Sequence, residues 1–237
     1  MSVDRSVIVR ARGITKTIAT GAGDLTILKG VDLDLYPGEL TLLMGPSGSG
    51  KTTFLSILGC ILTATEGHLT INGEEAVGQT AEGLADLRRR NMGFVFQGYN
   101  LFPTLTALEN VLMALDVRGA RLADPYQAAR DALIGVGLAH RIDAYPSKLS
   151  GGEKQRVAIA RSLAGNPAVV LADEPTAALD SENGKAVMEL LARVGQDPSR
   201  AVLAVTHDHR TLSYADRIIK IEDGRIVGDE RPNGLAA

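Results

Sequence analysis

The stretch Leu40-Thr-Leu-Leu-Met44, followed directly by Gly45-Pro-Ser-Gly-Ser-Gly-Lys51-Thr52, decides the fold of this chain. Its second part fits the pattern G-x-x-x-x-G-K-[ST], and it lies between an apolar run of strand length and an amphipathic segment of helical periodicity that begins near Thr52. Glycines let the backbone curl so that several N–H groups point inward, and with a helix N-terminus they surround a phosphate group. We therefore predict a strand, a phosphate loop and a helix at this point.

The same stretch carries side chains suited to a nucleotide and a metal ion. Lys51 would place its charge on the β- and γ-phosphates, and the Thr52 hydroxyl is the expected Mg²⁺ ligand. The alternative is a glycine-rich turn without a ligand, but four fixed positions seldom arise together by composition. The predicted nucleotide-binding residues of this segment are Gly45, Pro46, Ser47, Gly48, Ser49, Gly50, Lys51, Thr52 and Thr53.

The composition is that of an ordinary folded protein. Of 237 residues, 45% are hydrophobic, 22% are charged and only 4% are aromatic, with no Trp. This balance excludes disorder as the main state and indicates an aliphatic core. The length allows one large domain or two small ones, and nothing in the chain demands two. We expect a single domain over residues 1–237.

No stretch of the sequence is suited to cross a bilayer. The longest apolar runs, such as Ala168 to Ala172 and Ala201 to Val205, are far shorter than the roughly 20 residues that a span needs. The first residues carry Asp4 and Arg5 where a secretory signal would need an unbroken apolar stretch. We therefore expect a cytosolic protein.

Cysteine content and charge exclude further classes. Cys60 is the only cysteine, so neither a disulfide framework nor a multi-cysteine metal site is possible, and a buried structural thiol is expected. The net charge of −3 gives no overall attraction to nucleic acid. The run Arg88-Arg89-Arg90 is interpreted as a solvated helix end rather than a contact for nucleic acid or lipid headgroups.

Strand-like runs alternate with helical stretches, which predicts a mainly parallel sheet with helices on both faces. Val31 to Leu35 alternates with period two, as a half-buried strand does. Glu222-Asp223-Gly224 separates two late runs and predicts a hairpin.

Only helical periodicity occurs between Leu101 and Leu163, which we interpret as an inserted helical subdomain at roughly residues 98–163. The last residues, Pro232 to Ala237, are expected to fray. The continuously apolar runs, typical of central strands, are Leu40–Met44, Met92–Phe96, Ala168–Ala172 and Ala201–Val205.

A second candidate element is the apolar strand that ends in Asp173 and Glu174. Because side chains alternate along a strand, the two carboxylates cannot perform the same task. We assign Asp173 to the metal ion and Glu174 to the attacking water as base. Alone, an acidic pair at a strand end is more often a loop feature, but a phosphate loop in the same chain favours the site.

The octapeptide Leu149-Ser-Gly-Gly-Glu-Lys-Gln-Arg156 carries the most specific signal. Ser150 and Glu153 form an S-x-x-E capping box, and the alternative of a helix cap alone does not explain Gly151 and Gly152 in a first helical turn. The octapeptide resembles the signature sequence of ABC ATPases. The resemblance implies that Ser150, Gly151 and Gly152 meet the γ-phosphate held by a second subunit.

Further positions match this family one at a time, over about Val7 to Val227. Gln97 resembles the glutamine that contacts Mg²⁺ or water, Ala178-Leu179-Asp180 resembles the loop that crosses the dimer interface, and His207 resembles the switch histidine. By themselves Gln97 and His207 would more often be structural, and His209 is taken as structural. The aromatic residue that the family stacks on adenine is replaced here by Ile18, so base selectivity is in question.

The resemblance implies a P-loop NTPase fold of the RecA-like kind with an additional N-terminal antiparallel β region. It also implies an ATPase that uses ATP and Mg²⁺, pairs with a second copy of itself and drives a separate membrane permease at the inner face of the cell membrane. A periplasmic adaptor is a possible further partner, and nucleic acid is not expected.

The segments around Gln97, Asp173 and His207 are most similar to the lipoprotein-releasing and macrolide-exporter branch, especially the DevA-type ATPases of heterocyst-glycolipid export. Exported or extracted cargo would then be a lipid, lipoprotein or hydrophobic small molecule. The alternative is a cytosolic ABC ATPase of the iron-sulfur assembly type.

One segment is a candidate for the permease contact. Gly98 to Thr106 follows Gln97 and contains Tyr99, Leu101, Phe102 and Leu105 beside Pro103. These apolar groups either anchor the segment to the helical subdomain or form an exposed patch that receives a permease helix. We predict the second arrangement.

Overall fold

The computed structural model describes residues 6–21, 23–119 and 122–232. The expected frayed tail beyond Pro232, and the first five residues considered for a secretory signal, lie outside the described residues. The strands are β1 (Val9–Thr20), β2 (Gly23–Leu35), β3 (Glu39–Met44), β4 (Glu66–Ile71), β5 (Glu74–Glu75), β6 (Met92–Val95), β7 (Val169–Asp173), β8 (Ala201–Thr206), β9 (Arg217–Glu222) and β10 (Arg225–Glu230). The α-helices are α1 (Lys51–Leu58), α2 (Ala81–Asn91), α3 (Ala107–Arg118), α4 (Pro125–Gly135), α5 (Gly151–Leu163) and α6 (Ser181–Gly195).

The central sheet has six strands in the order β10-β9-β3-β8-β7-β6. All its pairs are parallel except the β9–β10 hairpin. Every residue of β3 and β8 is buried, because these strands lie in the middle of the sheet and are covered on both faces. The predicted mainly parallel sheet is thus present, and its carboxyl edge gathers the loops that follow β3, β6, β7 and β8.

A second, antiparallel sheet has the order β2-β1-β4-β5. Val31, Leu33 and Leu35 in β2 are buried while Asp32 is exposed, as the period-two pattern predicts. This sheet is the N-terminal antiparallel β region that the family resemblance implies.

The core has two apolar layers, one on each face of the central sheet. Leu42 and Ala204 face the layer formed with α3, α4, α5 and α6, whereas Leu43 and Leu203 face the layer formed with α1 and the antiparallel sheet. Both layers need apolar side chains, so the central strands read as continuous apolar runs. Cys60 is buried in the second layer, and burial raises the pKa of its thiol to about 11, which fits a structural thiol.

The β9–β10 hairpin turns where Asp223 and Gly224 adopt positive φ angles of 46° and 76°. Gly224 is required there for a second reason, since a Cβ atom would lie 2.1 Å from the carbonyl oxygen of Ile27 in β2. The predicted hairpin is confirmed, and it packs against the other sheet through this close approach.

The arginine run at the end of α2 is engaged within the chain. Arg90 pairs with Glu74 at 2.7 Å and with Asp86 at 2.9 Å, and Arg88 donates to the carbonyl oxygen of Cys60. These contacts tie α2 to the neighbouring strand and helix. The run is therefore the helix end that the sequence predicts. In the part of the chain that the structure describes, no helix has the length and apolar character needed to cross a membrane.

Candidate active site

The phosphate loop connects β3 to α1 at the carboxyl edge of the central sheet. Gly48 and Gly50 adopt left-handed conformations with φ of 80° and 98°. A Cβ atom on Gly45 would lie 2.0 Å from the carbonyl oxygen of Ile221, so only glycine fits there. The loop therefore curls tightly, and the first N–H groups of α1, which have no partner within the helix, open toward its interior.

Lys51 is almost fully buried and folds back over the loop. Its Nζ donates to the carbonyl oxygens of Gly45 at 2.7 Å and Pro46 at 2.8 Å. Two carbonyl partners hold the ammonium group above the curled backbone, which is where a phosphate bound by the loop would lie.

A hydroxyl and a carboxylate meet beside the loop. The Thr52 hydroxyl donates to Oδ1 of Asp173 at 3.2 Å. Burial raises the pKa of Asp173, and the hydrogen bond from Thr52 acts in the opposite direction. Mg²⁺ is commonly held by one or two carboxylates together with substrate phosphates, so this oxygen pair fits the ion. No group of three or more His, Cys, Asp or Glu suited to a metal occurs among the described residues.

Glu174 and His207 form a second pair. Glu174 has a positive φ of 46°, and its N–H donates to the carbonyl oxygen of Val205 at 3.0 Å. Asp173 and Val205 are register partners in parallel strands, so the residues that follow them emerge side by side. Nδ1 of His207 lies 2.8 Å from Oε1 of Glu174. The two predicted carboxylates therefore have different neighbours, Thr52 for Asp173 and His207 for Glu174.

These groups line one open cleft of about 1280 Å³. Gln97, two residues beyond β6, lines the same cleft although it is distant in sequence from the phosphate loop. Of the predicted site residues, the cleft brings together Gly45, Pro46, Ser47, Gly48, Gly50, Lys51, Thr52, Thr53, Gln97, Glu174 and His207. Asp173 reaches it through its contact with Thr52, and Ser49 is buried inside the loop.

The cleft also has walls that the sequence analysis did not assign. Leu25 and Ile27 come from β2, and His209, which was taken as structural, lines the cleft as well. Ile18 is exposed and lies opposite Leu25 in the β1–β2 ladder, but it is not among the residues that line the cleft. The remaining unassigned lining residues are Met44, Leu212, Ile218, Lys220, Glu222 and Glu230.

The signature octapeptide lies outside this cleft. Ser150 caps α5, its side chain accepts from the N–H of Glu153 at 3.2 Å, and Glu153 accepts from the N–H of Ser150 at 2.8 Å. Neither Ser150, Gly151, Gly152 nor Asp180 lines the cleft formed by the described residues. The signature residues and the cleft thus lie at separate places on a single chain.

Asp180 and Gly152 share a neighbour that sequence reasoning missed. Asp180 caps α6 and accepts from both the backbone and the side-chain nitrogen of Asn183, at 2.9 and 2.8 Å. A Cβ atom on Gly152 would lie 2.2 Å from Oδ1 of Asn183. Close packing is therefore a second reason for this glycine, besides access to the first-turn N–H groups. The signal in the sequence was the D-x-x-N spacing of a capped helix.

The segment after Gln97 is held by α3. Asn110 is fully buried, accepts from the N–H of Phe102 at 2.8 Å and donates to the carbonyl oxygens of Phe102, Leu105 and Thr106. The Phe102 side chain is left 47% exposed. Leu101, in contrast, packs against the core. The segment therefore has one residue that anchors it to the core and a neighbouring apolar residue that is exposed.

Comparison with known protein families matches residues 28–177 to the family described as ABC transporter. Among curated proteins, the chain is 45% identical over 222 residues to the macrolide export ATP-binding/permease protein MacB of Brucella melitensis, covering 94% of this chain and 34% of that protein. It is 42% identical to MacB of Syntrophobacter fumaroxidans, covering 92% of this chain and 31% of that protein. The chain thus spans about a third of the length of these relatives.

Solved structures are similar over nearly the whole chain. A dimeric structure of MJ0796, described as a bacterial ABC transporter cassette, is 40% identical with a TM-score of 0.87, covering 96% of this chain and 100% of that one. A dimer of the same protein, described as a post-hydrolysis state bound to ADP and Pi, matches equally well. The cbiO1 protein of Clostridium perfringens, part of the transporter complex cbiONQ, is 26% identical with a TM-score of 0.84, covering 97% and 90%. These likenesses confirm the expected α/β fold of P-loop ATPases.

Proposed function

Because the chain belongs to the ABC transporter family of ATP-binding domains, we propose that it binds and hydrolyses ATP to power a separate membrane permease. One observation carries this proposal: the phosphate loop, Glu174, His207 and Gln97 line one cleft, while the signature residues of the same chain lie outside it. A complete site then needs the signature of a second copy. The dimeric structures of MJ0796 support the same arrangement.

The proposed roles of the residues follow from their neighbours. The curled loop and Lys51 bind the phosphates, and Thr52, Asp173 and Gln97 are the residues that would hold Mg²⁺. When bound, the ion neutralises charge on the phosphate oxygens. Glu174 orients the attacking water and takes its proton.

As an imidazolium, His207 donates from Nδ1 to the Glu174 carboxylate, which it keeps in place, and from its other nitrogen to the γ-phosphate. Ser150, Gly151, Gly152 and Asp180 act on the nucleotide of the second copy. Binding of two ATP molecules joins the two copies, and hydrolysis lets them part, which moves the permease between states.

The proposed cellular role of the ATP cycle is transport across the cell membrane. We place the chain at the inner face of the cell membrane, attached through its permease, with a periplasmic adaptor as a further partner. The names of the MacB relatives support the macrolide-exporter branch. The finer likeness to the heterocyst-glycolipid exporters stays a prediction, and the cargo is a lipid, lipoprotein or hydrophobic small molecule. The transport names of these relatives favour this function over an iron-sulfur assembly ATPase.

Mixing two inactive variants tests the shared site. Lys51→Ala disables the phosphate loop, and Ser150→Asp keeps the helix cap while its negative charge repels the γ-phosphate. Each variant alone should be inactive. A mixed dimer contains one site built from an intact loop and an intact signature, so mixing should restore hydrolysis. In the unmodified chain the rate should rise with the square of protein concentration when dimerisation is limiting. No restoration on mixing, together with a rate linear in protein, would contradict the shared site.

A further inference from the structure

The two residues that follow Gln97 and Gly98 have an unusual backbone. Tyr99 and Asn100 both adopt left-handed conformations, with φ of 62° and 49°. Side chains other than glycine rarely adopt this conformation, and two in succession persist only where the surrounding structure holds them. The segment leaving Gln97 is therefore restrained.

The restraint comes from the signature helix. Arg161 in the last turn of α5 donates from Nη2 to the carbonyl oxygen of Tyr99 at 2.8 Å and from Nη1 to that of Asn100. Burial of the guanidinium lowers the pKa of Arg161, and among the described residues it has no carboxylate partner. Arg161 is partly buried, and its side-chain partners among the described residues are these two carbonyl groups, so losing them would leave its charge without a hydrogen-bond acceptor.

The side chain of Tyr99 contacts the other end of the same helix. Its hydroxyl lies 3.1 Å from the position that a Cβ atom on Gly151 would occupy. Gly151 is the first residue of α5 and part of the signature. Tyr99 thus contacts α5 at both ends, through its carbonyl oxygen at Arg161 and through its hydroxyl at Gly151.

We propose that Tyr99 is a positioning residue that couples Gln97 of one cleft to the signature offered to the second copy. A displacement of the Gln97 loop then carries Gly151 with it, because the Tyr99 hydroxyl and the hydrogen bonds from Arg161 link the two elements. The nucleotide state on one side of the chain is in this way transmitted to the face that joins the dimer. The inference rests on the proposed function, since it needs a signature that acts on a partner.

Three variants test the coupling. Tyr99→Gly removes the ring while favouring the left-handed backbone, so the carbonyl stays available to Arg161. Tyr99→Phe keeps the ring and removes only the hydroxyl that contacts Gly151. Tyr126→Phe, at an exposed tyrosine of α4, is the control. ATP affinity of the monomer, ATP-driven dimerisation by sedimentation, kcat and the melting temperature would be measured for each.

Tyr99→Gly should bind ATP within about twofold of the unmodified chain but weaken ATP-driven dimerisation and lower kcat by about tenfold, as expected when a packed aromatic contact is lost. Tyr99→Phe, which lacks only the hydroxyl at Gly151, should show part of the same loss, and Tyr126→Phe should change nothing. Normal dimerisation and kcat in Tyr99→Gly would overturn the coupling while leaving the proposed function intact. Loss of fold or of monomer ATP binding in Tyr99→Gly would instead assign the ring a purely structural role. An unmodified chain that neither dimerises with ATP nor hydrolyses it would contradict the proposed function and the coupling together.

Discussion

Nδ1 of His207 lies 2.8 Å from Oε1 of Glu174, although 33 positions separate the two residues along the chain. Glu174 is mostly buried, whereas the His207 ring is 70% exposed. The contact fixes the carboxylate at the end of β7 and leaves the imidazole accessible to a ligand in the cleft. This contact is compatible with the proposed role of Glu174 as the base that orients water.

Glu174→Gln should therefore leave ATP binding intact and stop turnover, because the amide keeps the shape of the side chain but cannot take a proton. An ATP-bound dimer should accumulate. Hydrolysis rate and sedimentation would be measured on the same samples, with Glu189→Gln on the exposed face of α6 as control. Undiminished hydrolysis would reject the assignment of the base.

Lys51→Ala should weaken nucleotide binding itself. The ammonium group sits above the phosphate loop, held by the carbonyl oxygens of Gly45 and Pro46, and its loss removes the nearest positive charge to a bound phosphate. We expect at least about a tenfold loss of ATP affinity, the amount that a charge-assisted hydrogen bond supplies. Calorimetric titration with ATP checks this, and Lys185→Ala on α6 serves as the control. Unchanged affinity would show that the backbone alone holds the phosphates.

Ile18 does not itself line the cleft, but it lies opposite Leu25, which does. An aromatic ring at this position, in Ile18→Tyr, should tighten ATP binding by up to about tenfold if it stacks on the base and adds roughly 1 kcal/mol. In the unmodified chain we expect poor discrimination between ATP and GTP, because aliphatic side chains such as Leu25 at the cleft offer no stacking surface. Titration with both nucleotides tests this, and Ile134→Tyr, exposed on α4, controls for an added surface aromatic. A strong ATP preference in the unmodified chain would mean that another residue recognises the base.

Phe102→Ser should abolish association with the permease and the stimulation of hydrolysis by the permease, while the isolated chain stays folded and binds ATP. The ring is 47% exposed, and Asn110 holds the surrounding segment independently of it. Copurification with the permease and the melting temperature would be measured. Val117→Ser, at another exposed apolar residue of α3, is the matched control. A large fall in melting temperature would identify Phe102 as a core anchor, and unchanged association would exclude it from the contact.

Glu153 should make stability depend on pH at the acid end. Its hydrogen bond from the N–H of Ser150, followed by that from Arg141, lowers the pKa of Glu153 to about 2. Its contribution to the free energy of unfolding should be complete above the unfolded pKa of about 4.3 and be lost as the pH falls toward about 2. Urea unfolding of the unmodified chain and Glu153→Gln, from pH 6 down to 3, should show the difference between them shrinking in that window. A difference that stays constant would contradict the capping contact.

The short motifs were predictable because their chemistry is local. A glycine-rich loop between a strand and a helix, an acidic pair at a strand end and the cap of α5 each depend on residues within a few positions of one another. The central strands were equally recognisable, since burial on both faces demands continuous apolar runs such as Ala201 to Val205. The Asp223-Gly224 hairpin was also correctly predicted, because a hairpin turn depends on two adjacent residues.

Tertiary structure alone decided which of these pieces meet. The contact between His207 and Glu174 exists because β7 and β8 are neighbours in the sheet, and strand order is set by packing rather than by spacing along the chain. The same holds for the hydrogen bond from Arg161 to the carbonyl oxygen of Tyr99, 62 positions away. The place of Leu25 rather than Ile18 in the wall of the cleft also depends on how the antiparallel sheet packs. Local patterns determine which face of a strand a side chain occupies, but the long-range packing of the two sheets and the helices around them determines what that face touches.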